Sequence, residues 1–147
     1  MTTRPATALP FEARYRVYWE DTDAGGVVFY ANYLKFFERA RTDWLRALGI
    51  SQQALRADTG AIFIVSETSV RYLAPARLDD ELRVTASLSR IGRASLVFEQ
   101  KAWCGARCLS EGQIRVGCVD SGTFAPVRIP KAVLDVLLTS DPPAAAR

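Results

Sequence analysis

Residues 32–48 read NYLKFFERARTDWLRAL, and this stretch decides the fold. Tyr33, Phe36, Phe37, Ala40, Trp44 and Leu48 recur at helical steps of three and four. Asn32 stands where an N-cap belongs, and Gly49 where a left-handed residue would end the helix. Arg39 with Asp43 and Glu38 with Arg41 are spaced as ion pairs on a wetter side. One Trp, two Phe and several Leu make the helix apolar over most of its girth, so it is expected to be well enclosed.

Outward from the helix the period changes to two. Tyr15 to Trp19 reads as a strand ahead of it. A short helical turn is expected at Ser51 to Arg56, then a long strand from Ala61 to Tyr72, broken by Pro75. Leu82, Val84, Ala86 and Leu88 alternate with polar residues, and Gly92-Arg93 makes a turn. Leu96, Phe98, Gln100 and Ala102 follow, then a turn at Gly105-Ala106-Arg107, then Ile114, Val116 and Cys118 on one face. Such short turns imply antiparallel pairing. Pro130 opens a last helix, Lys131 to Leu138. The order β-α-β-β-β-β gives an α+β chain, one long helix covered by one curved antiparallel sheet. Its open edges favour edge-to-edge association of copies.

The chain has 147 residues, enough for one domain. Residues 11–138 are read as that domain, 1–10 as a loose leader and 139–147 as a flexible tail. Hydrophobic residues make up 49% and charged residues 24%, so global disorder is excluded. A net charge of +3 does not argue for nucleic acid, and no partner of that kind is expected. No histidine is present, which excludes Ser-His-Asp triads, Cys-His dyads and His metal sites, and no metal is expected. Three cysteines fit no zinc spacing and suit a reducing compartment. Cys104 and Cys108 flank a turn, as two packed thiols or a strained disulfide. MTTRPATALP lacks the apolar core of a signal peptide, and no stretch is long enough for a membrane span. A cytoplasmic location is the expectation.

Chemistry is concentrated in residues 20–32, EDTDAGGVVFYAN, between a strand end and the helix start. A helix N-terminus offers unpaired N–H groups and partial positive charge, an oxyanion site in waiting. Asp21 and Asp23 stand just before it, with Gly25 and Gly26 between. A carboxylate plus a backbone donor suffices for thioester cleavage. The leaving thiolate, with a pKa of about 8.5 for an ordinary thiol, departs without a strong general acid. The same residues also serve as turn formers and helix-dipole partners.

RVYWEDTDAGGVVFYANYLKFFERARTDWLRALGI resembles the signature of the 4-hydroxybenzoyl-CoA thioesterase family, closest to its YbgC-type, Tol-Pal-associated branch. VSETSVRYLAPARLDDELRVTASLSRIGRASLVFEQ and RVGCVDSGTFAPVRIPKAV are similar to the same branch. The resemblance implies the hotdog fold, five strands around a central helix, and an acyl-CoA thioesterase working as a dimer or tetramer. It places the catalytic carboxylate on Asp23, as nucleophile or general base, and the carbonyl-polarising amide on Tyr30 or a neighbour. That branch usually has His where this chain has Tyr30, while an aromatic-acyl subgroup has Tyr. Substrate contacts are expected from Gly26, and from Ser66 and Glu67 of the neighbouring subunit. The coenzyme A phosphates fall to Arg90 and Arg93, or to Arg128 and Lys131. No cofactor is expected beyond coenzyme A, itself part of the substrate; acyl carrier protein is the other acyl donor considered. The alternative is a non-catalytic hotdog module binding acyl-CoA or acyl carrier protein. A hotdog dehydratase needs His and is excluded.

Overall fold

The computed structural model describes residues 2–3 and 10–139. A single antiparallel sheet is built from β2 (Phe11–Arg16), β3 (Ala61–Tyr72), β4 (Glu81–Ile91), β5 (Ser95–Cys104) and β6 (Arg107–Asp120), with β1 (Thr2–Thr3) a two-residue addition. The order runs β3, β6, β5, β4, and both β1 and β2 pair with β4. Helices α1 (Asn32–Ala47), α2 (Gln52–Thr59) and α3 (Lys131–Thr139) complete the chain. The expected α+β hotdog architecture of five strands around a central helix is the one observed. Of the leader and tail, Thr2, Thr3, Pro10 and Thr139 fall within the described residues, and the rest lie outside them.

The core forms where α1 lies on β2, β4 and β5. Phe36, Phe37, Ala40 and Trp44 are fully buried, and they share one cluster with Val84, Ala86, Phe98 and Ile114. Each large apolar side chain removed from water contributes about 1.5–3 kcal/mol, so this stripe holds helix and sheet together. The Trp44 ring lies 6.4 Å from Phe11 and meets Phe98 edge-on at 6.1 Å. Gly112 of β6 permits the close approach: a Cβ there would sit 2.9 Å from Phe37 Cε2.

Several local expectations are corrected. Enclosure of α1 is one-sided, since Leu34, Lys35, Glu38, Arg39, Arg46 and Ala47 are exposed. Arg41 does not pair with Glu38 on the wet side; it is buried, and its Nη1 donates to Gln100 Oε1 at 2.9 Å. Gln100 Nε2 donates in turn to the Phe37 carbonyl at 2.9 Å, so a side-chain relay ties helix to sheet. Arg39 lies over the Phe36 ring, and Asp43 takes the Tyr15 hydroxyl and a 3.8 Å contact with Arg46. The C-terminus follows the reading: Gly49 has φ 85°, and Ile50 N–H donates to Leu45 O at 2.8 Å. Cys104 and Cys108 are free thiols. Cys104 opposes Arg107 and Cys108 opposes Trp103, which puts the two thiols on opposite faces of the hairpin.

The outer edge of β3 has no partner strand among the described residues. Ser66 is the extra residue of a bulge there, between the pairs Val65–Val116 and Glu67–Arg115. Ile64 and Val65 beside it are exposed.

Gly112→Val should overpack the α1–β6 contact and destabilise the fold by about 1–3 kcal/mol. Denaturant unfolding checks this: a lower midpoint is expected, with the slope unchanged.

Candidate active site

The strand expected at Tyr15–Trp19 ends at Arg16, and Trp19–Asp21 turn as a 3₁₀ helix. Asp21 causes the turn. Its buried carboxylate accepts the Tyr18 N–H on Oδ2 at 2.8 Å and the Asn32 side-chain amide on Oδ1 at 2.8 Å. Asn32 is therefore a helical residue pinned by Asp21, not the N-cap; that position falls to Ala31.

Beyond Asp21 the chain doubles back as a tight hairpin. Phe29 N–H donates to Asp21 O at 3.0 Å, Thr22 bridges Val28, and Asp23 N–H donates to Val27 O at 2.9 Å. Gly26 closes the tip at φ 80°, a conformation costly for other residues. Asp23 sits on this tip, exposed. Its Oδ1 accepts the Gly25 N–H at 2.8 Å, while Oδ2 takes no hydrogen bond among the described residues. The hairpin delivers the chain into α1 within three residues of Phe29. There Asn32 N–H donates to Phe29 O at 2.8 Å, and no acceptor among the described residues takes the Tyr30 N–H.

Tyr30 is 64% exposed and borders a hollow of about 310 Å³, shared with Tyr33, Tyr72, Leu73 and Pro75. Among the described residues no charged side chain lines it. Burial pushes the Tyr33 and Tyr72 phenols up, so both stay protonated at neutral pH. A larger hollow of about 670 Å³ lies on the polar sheet face and shares no residue with this site. Its Arg83 is already paired with Glu12 at 2.9 Å.

The cations chosen from sequence are partly drawn together. Ile129 N–H donates to Arg93 O at 2.7 Å, which brings the chain at Arg128 beside the Arg93 turn. Lys131 is engaged by Asp135 at 2.8 Å. Arg90 instead shares a cavity of about 270 Å³ with Glu67, Ser69 and Arg115. Ser66 donates to Arg115 O at 3.3 Å. Within this single chain, neither Ser66 nor Glu67 lines the Tyr30 hollow. The sequence reading passed over Tyr72 and Tyr33; the signal was an aromatic residue at a strand end, just before Pro75. Among the described residues no cluster of acidic and thiol groups could hold a metal, and no helix is long and apolar enough to cross a membrane.

A helix wrapped by an antiparallel sheet, with a carboxylate hairpin at the helix head, defines a hotdog thioesterase. The sequence pattern of the Thioesterase superfamily matches residues 25–109, beginning two residues after Asp23, and the chain belongs to that family. It is a thioester hydrolase by class. The chain is 45% identical to "Acyl-CoA thioesterase YbgC" of Haemophilus influenzae, over 84% of this chain and 90% of that one. It is 46% identical to "Acyl-CoA thioester hydrolase YbgC" of Escherichia coli O157:H7, over 81% and 89%. Among solved structures it resembles a probable thioesterase from Bartonella henselae, with a TM-score of 0.79 at 30% identity, over 83% of this chain and all of that one.

Asp21→Ala would strand the Tyr18 N–H and the Asn32 amide, costing about 2–3 kcal/mol. Thermal unfolding should show a clear loss of stability; an unchanged melting temperature would mean that the 3₁₀ turn closes without the carboxylate.

Proposed function

We propose that this chain hydrolyses acyl-CoA thioesters to a free acid and coenzyme A. In this reading Asp23 supplies the carboxylate and the Tyr30 N–H polarises the thioester carbonyl. One observation carries the assignment: Asp23 Oδ2 and the Tyr30 N–H are both without a partner among the described residues, at the tip and the base of one hairpin running into α1. By contrast, both oxygens of the neighbouring Asp21 carboxylate are engaged. The YbgC names of the relatives support the substrate class.

The carbonyl oxygen becomes an oxyanion as the carbon is attacked. A fixed amide at a helix head stabilises that charge without reorganising. Asp23 acts in one of two ways: it attacks the carbonyl carbon itself, or it takes a proton from the attacking water. Either way the coenzyme A thiolate leaves, and water ends as the new acid oxygen. Arg93 and Arg128, drawn together by the Ile129 bond, are the better placed cations for the phosphates of coenzyme A. Lys131 is the weaker candidate because Asp135 holds it. Arg90 is a further candidate, in the cavity it shares with Glu67, Ser69 and Arg115.

The free β3 edge supports a homo-oligomer in which a second copy pairs along Ala61–Tyr72 and brings its Ser66 and Glu67 toward the site. Light scattering should then give at least twice 16.2 kDa for folded protein at micromolar concentration; a folded monomer would contradict the pairing.

Asp23→Asn keeps the size of the side chain and an acceptor for the Gly25 N–H, but removes basicity and nucleophilicity. Steady-state thiol release should show kcat lowered by about 10²–10⁴-fold, with circular dichroism and coenzyme A binding unchanged. Retention of more than a tenth of wild-type kcat removes Asp23 from the mechanism. A wild type that binds acyl-CoA but releases no thiol would instead be a binding module.

A further inference from the structure

Tyr72 is the last residue of β3, forty-two positions from Tyr30, yet its hydroxyl donates to the Tyr30 carbonyl at 3.0 Å. In a regular helix that carbonyl would accept the Leu34 N–H. Here Leu34 N–H goes to Ala31 O at 3.1 Å, so the first turn is tightened and the Tyr30 carbonyl faces out toward β3. The Tyr72 ring is itself held. It meets Tyr30 edge-on at 6.1 Å and Tyr33 at 5.6 Å. Leu73 N–H donates to Leu109 O at 2.8 Å just beyond it.

The stretch after β3 grips the hairpin once and the head of α1 once more. Val28 N–H donates to Ala76 O at 2.8 Å, and Ala76 N–H donates to the Tyr33 hydroxyl at 3.2 Å. Residues 28–33 are thus clamped against residues 72–76 by three hydrogen bonds. Among the described residues, only the Tyr72 hydroxyl makes a hydrogen bond to Tyr30 itself.

We propose that Tyr72 is a positioning residue for thioester hydrolysis: its hydroxyl holds the Tyr30 carbonyl away from the helix ladder, and so keeps the Tyr30 N–H aimed at the substrate carbonyl. The proposal rests on the reading of the Tyr30 N–H as the carbonyl donor. The physical reason is rigidity. Peptide groups are planar, so two dihedral angles at Tyr30 relate its N–H to its C=O. Anchoring the carbonyl fixes one of the two planes. Without the anchor, the Leu34 N–H can recapture the carbonyl, extend α1 by one residue and rotate the peptide away. The Tyr72 ring also walls the apolar hollow beside Tyr30, a surface that suits the acyl group of a thioester whose carbonyl meets the Tyr30 N–H.

The test compares wild type, Tyr72→Phe and Tyr72→Leu in steady-state thiol release, on whichever acyl-CoA the wild type cleaves fastest. Tyr72→Phe keeps the ring and removes only the hydroxyl. Its kcat should fall about 10- to 100-fold, the cost of a mis-aimed catalytic group, with KM within about twofold and circular dichroism unchanged. Tyr72→Leu also loses the wall, so its KM should rise as well. A second readout isolates the aim of the donor. A ketone analogue of the substrate, with CH₂ in place of sulfur, is bound and its carbonyl stretch recorded. Wild type should lower the frequency relative to the free analogue, and Tyr72→Phe should lose most of that shift.

An unchanged kcat in Tyr72→Phe overturns the proposal, as does a reduced kcat with the carbonyl shift intact. If Tyr72→Phe does not fold, the folded Tyr72→Leu variant decides on the same frequency. Failure here is distinguishable from failure of the hydrolysis reading: in the first case wild type is active and Asp23→Asn is not, and in the second wild type releases no thiol.

Discussion

Burial of one aromatic stripe, Phe36, Phe37 and Trp44, against the sheet is the constraint on which the rest of this structure depends. It fixes the rotation of α1. That rotation turns Arg41 inward to Gln100 and leaves Lys35, Glu38 and Arg39 in water. It also demands a residue without a side chain at Gly112, where Phe37 presses closest. A charge is buried as a consequence. Desolvation lowers the Arg41 pKa, and its hydrogen bond to Gln100 with its place over Phe98 is what the fold offers in return. Once the helix is seated, its N-terminus can lie nowhere but beside the end of β3 and the hairpin that precedes it.

At that end, two identical side chains two residues apart have been given different work by their surroundings. Asp21 is buried with both oxygens engaged, and it braces the 3₁₀ turn to the first residue of α1. Asp23 is exposed on the hairpin tip with one oxygen spare. Their different roles follow from position along the hairpin: Asp21, paired with residue 29 at the base, meets Tyr18 and Asn32, whereas Asp23, paired with residue 27, stands at the tip. A fixed amide and an available carboxylate suit a substrate whose leaving group is a good one, and a thioester has such a leaving group. With no histidine in the chain, an imidazole base is not available, and the carboxylate takes that part.

Much of this was legible in the sequence because it depends on period and punctuation. The helical spacing of Phe36, Phe37, Ala40 and Trp44, the strand from Ala61 to Tyr72 and the left-handed Gly49 all appear where the residues put them. What was not legible depends on partners distant in the chain. Glu38 and Arg41 carry the right spacing for an ion pair, but Gln100, fifty-nine residues on, claims the guanidinium. Asn32 has the composition of an N-cap, but Asp21 draws its side chain away. Tyr15 belongs to β2 as read, but the strand lies earlier because Asp21 closes a turn where Trp19 was expected to extend it. Tyr72 carried only a faint mark, an aromatic residue at a strand end before Pro75, for the same reason: its partner Tyr30 meets it only when β3 closes over the head of the helix.

The central claim is that the hairpin and the helix head form a working thioester site. Thiol release by the unmodified protein, followed with a chromogenic disulfide over a panel of short, long and aromatic acyl-CoAs, tests it most directly. The account predicts that at least one of them is cleaved catalytically, with one equivalent of free acid formed for each coenzyme A released. Folded protein that binds these thioesters and turns over none of them would contradict it.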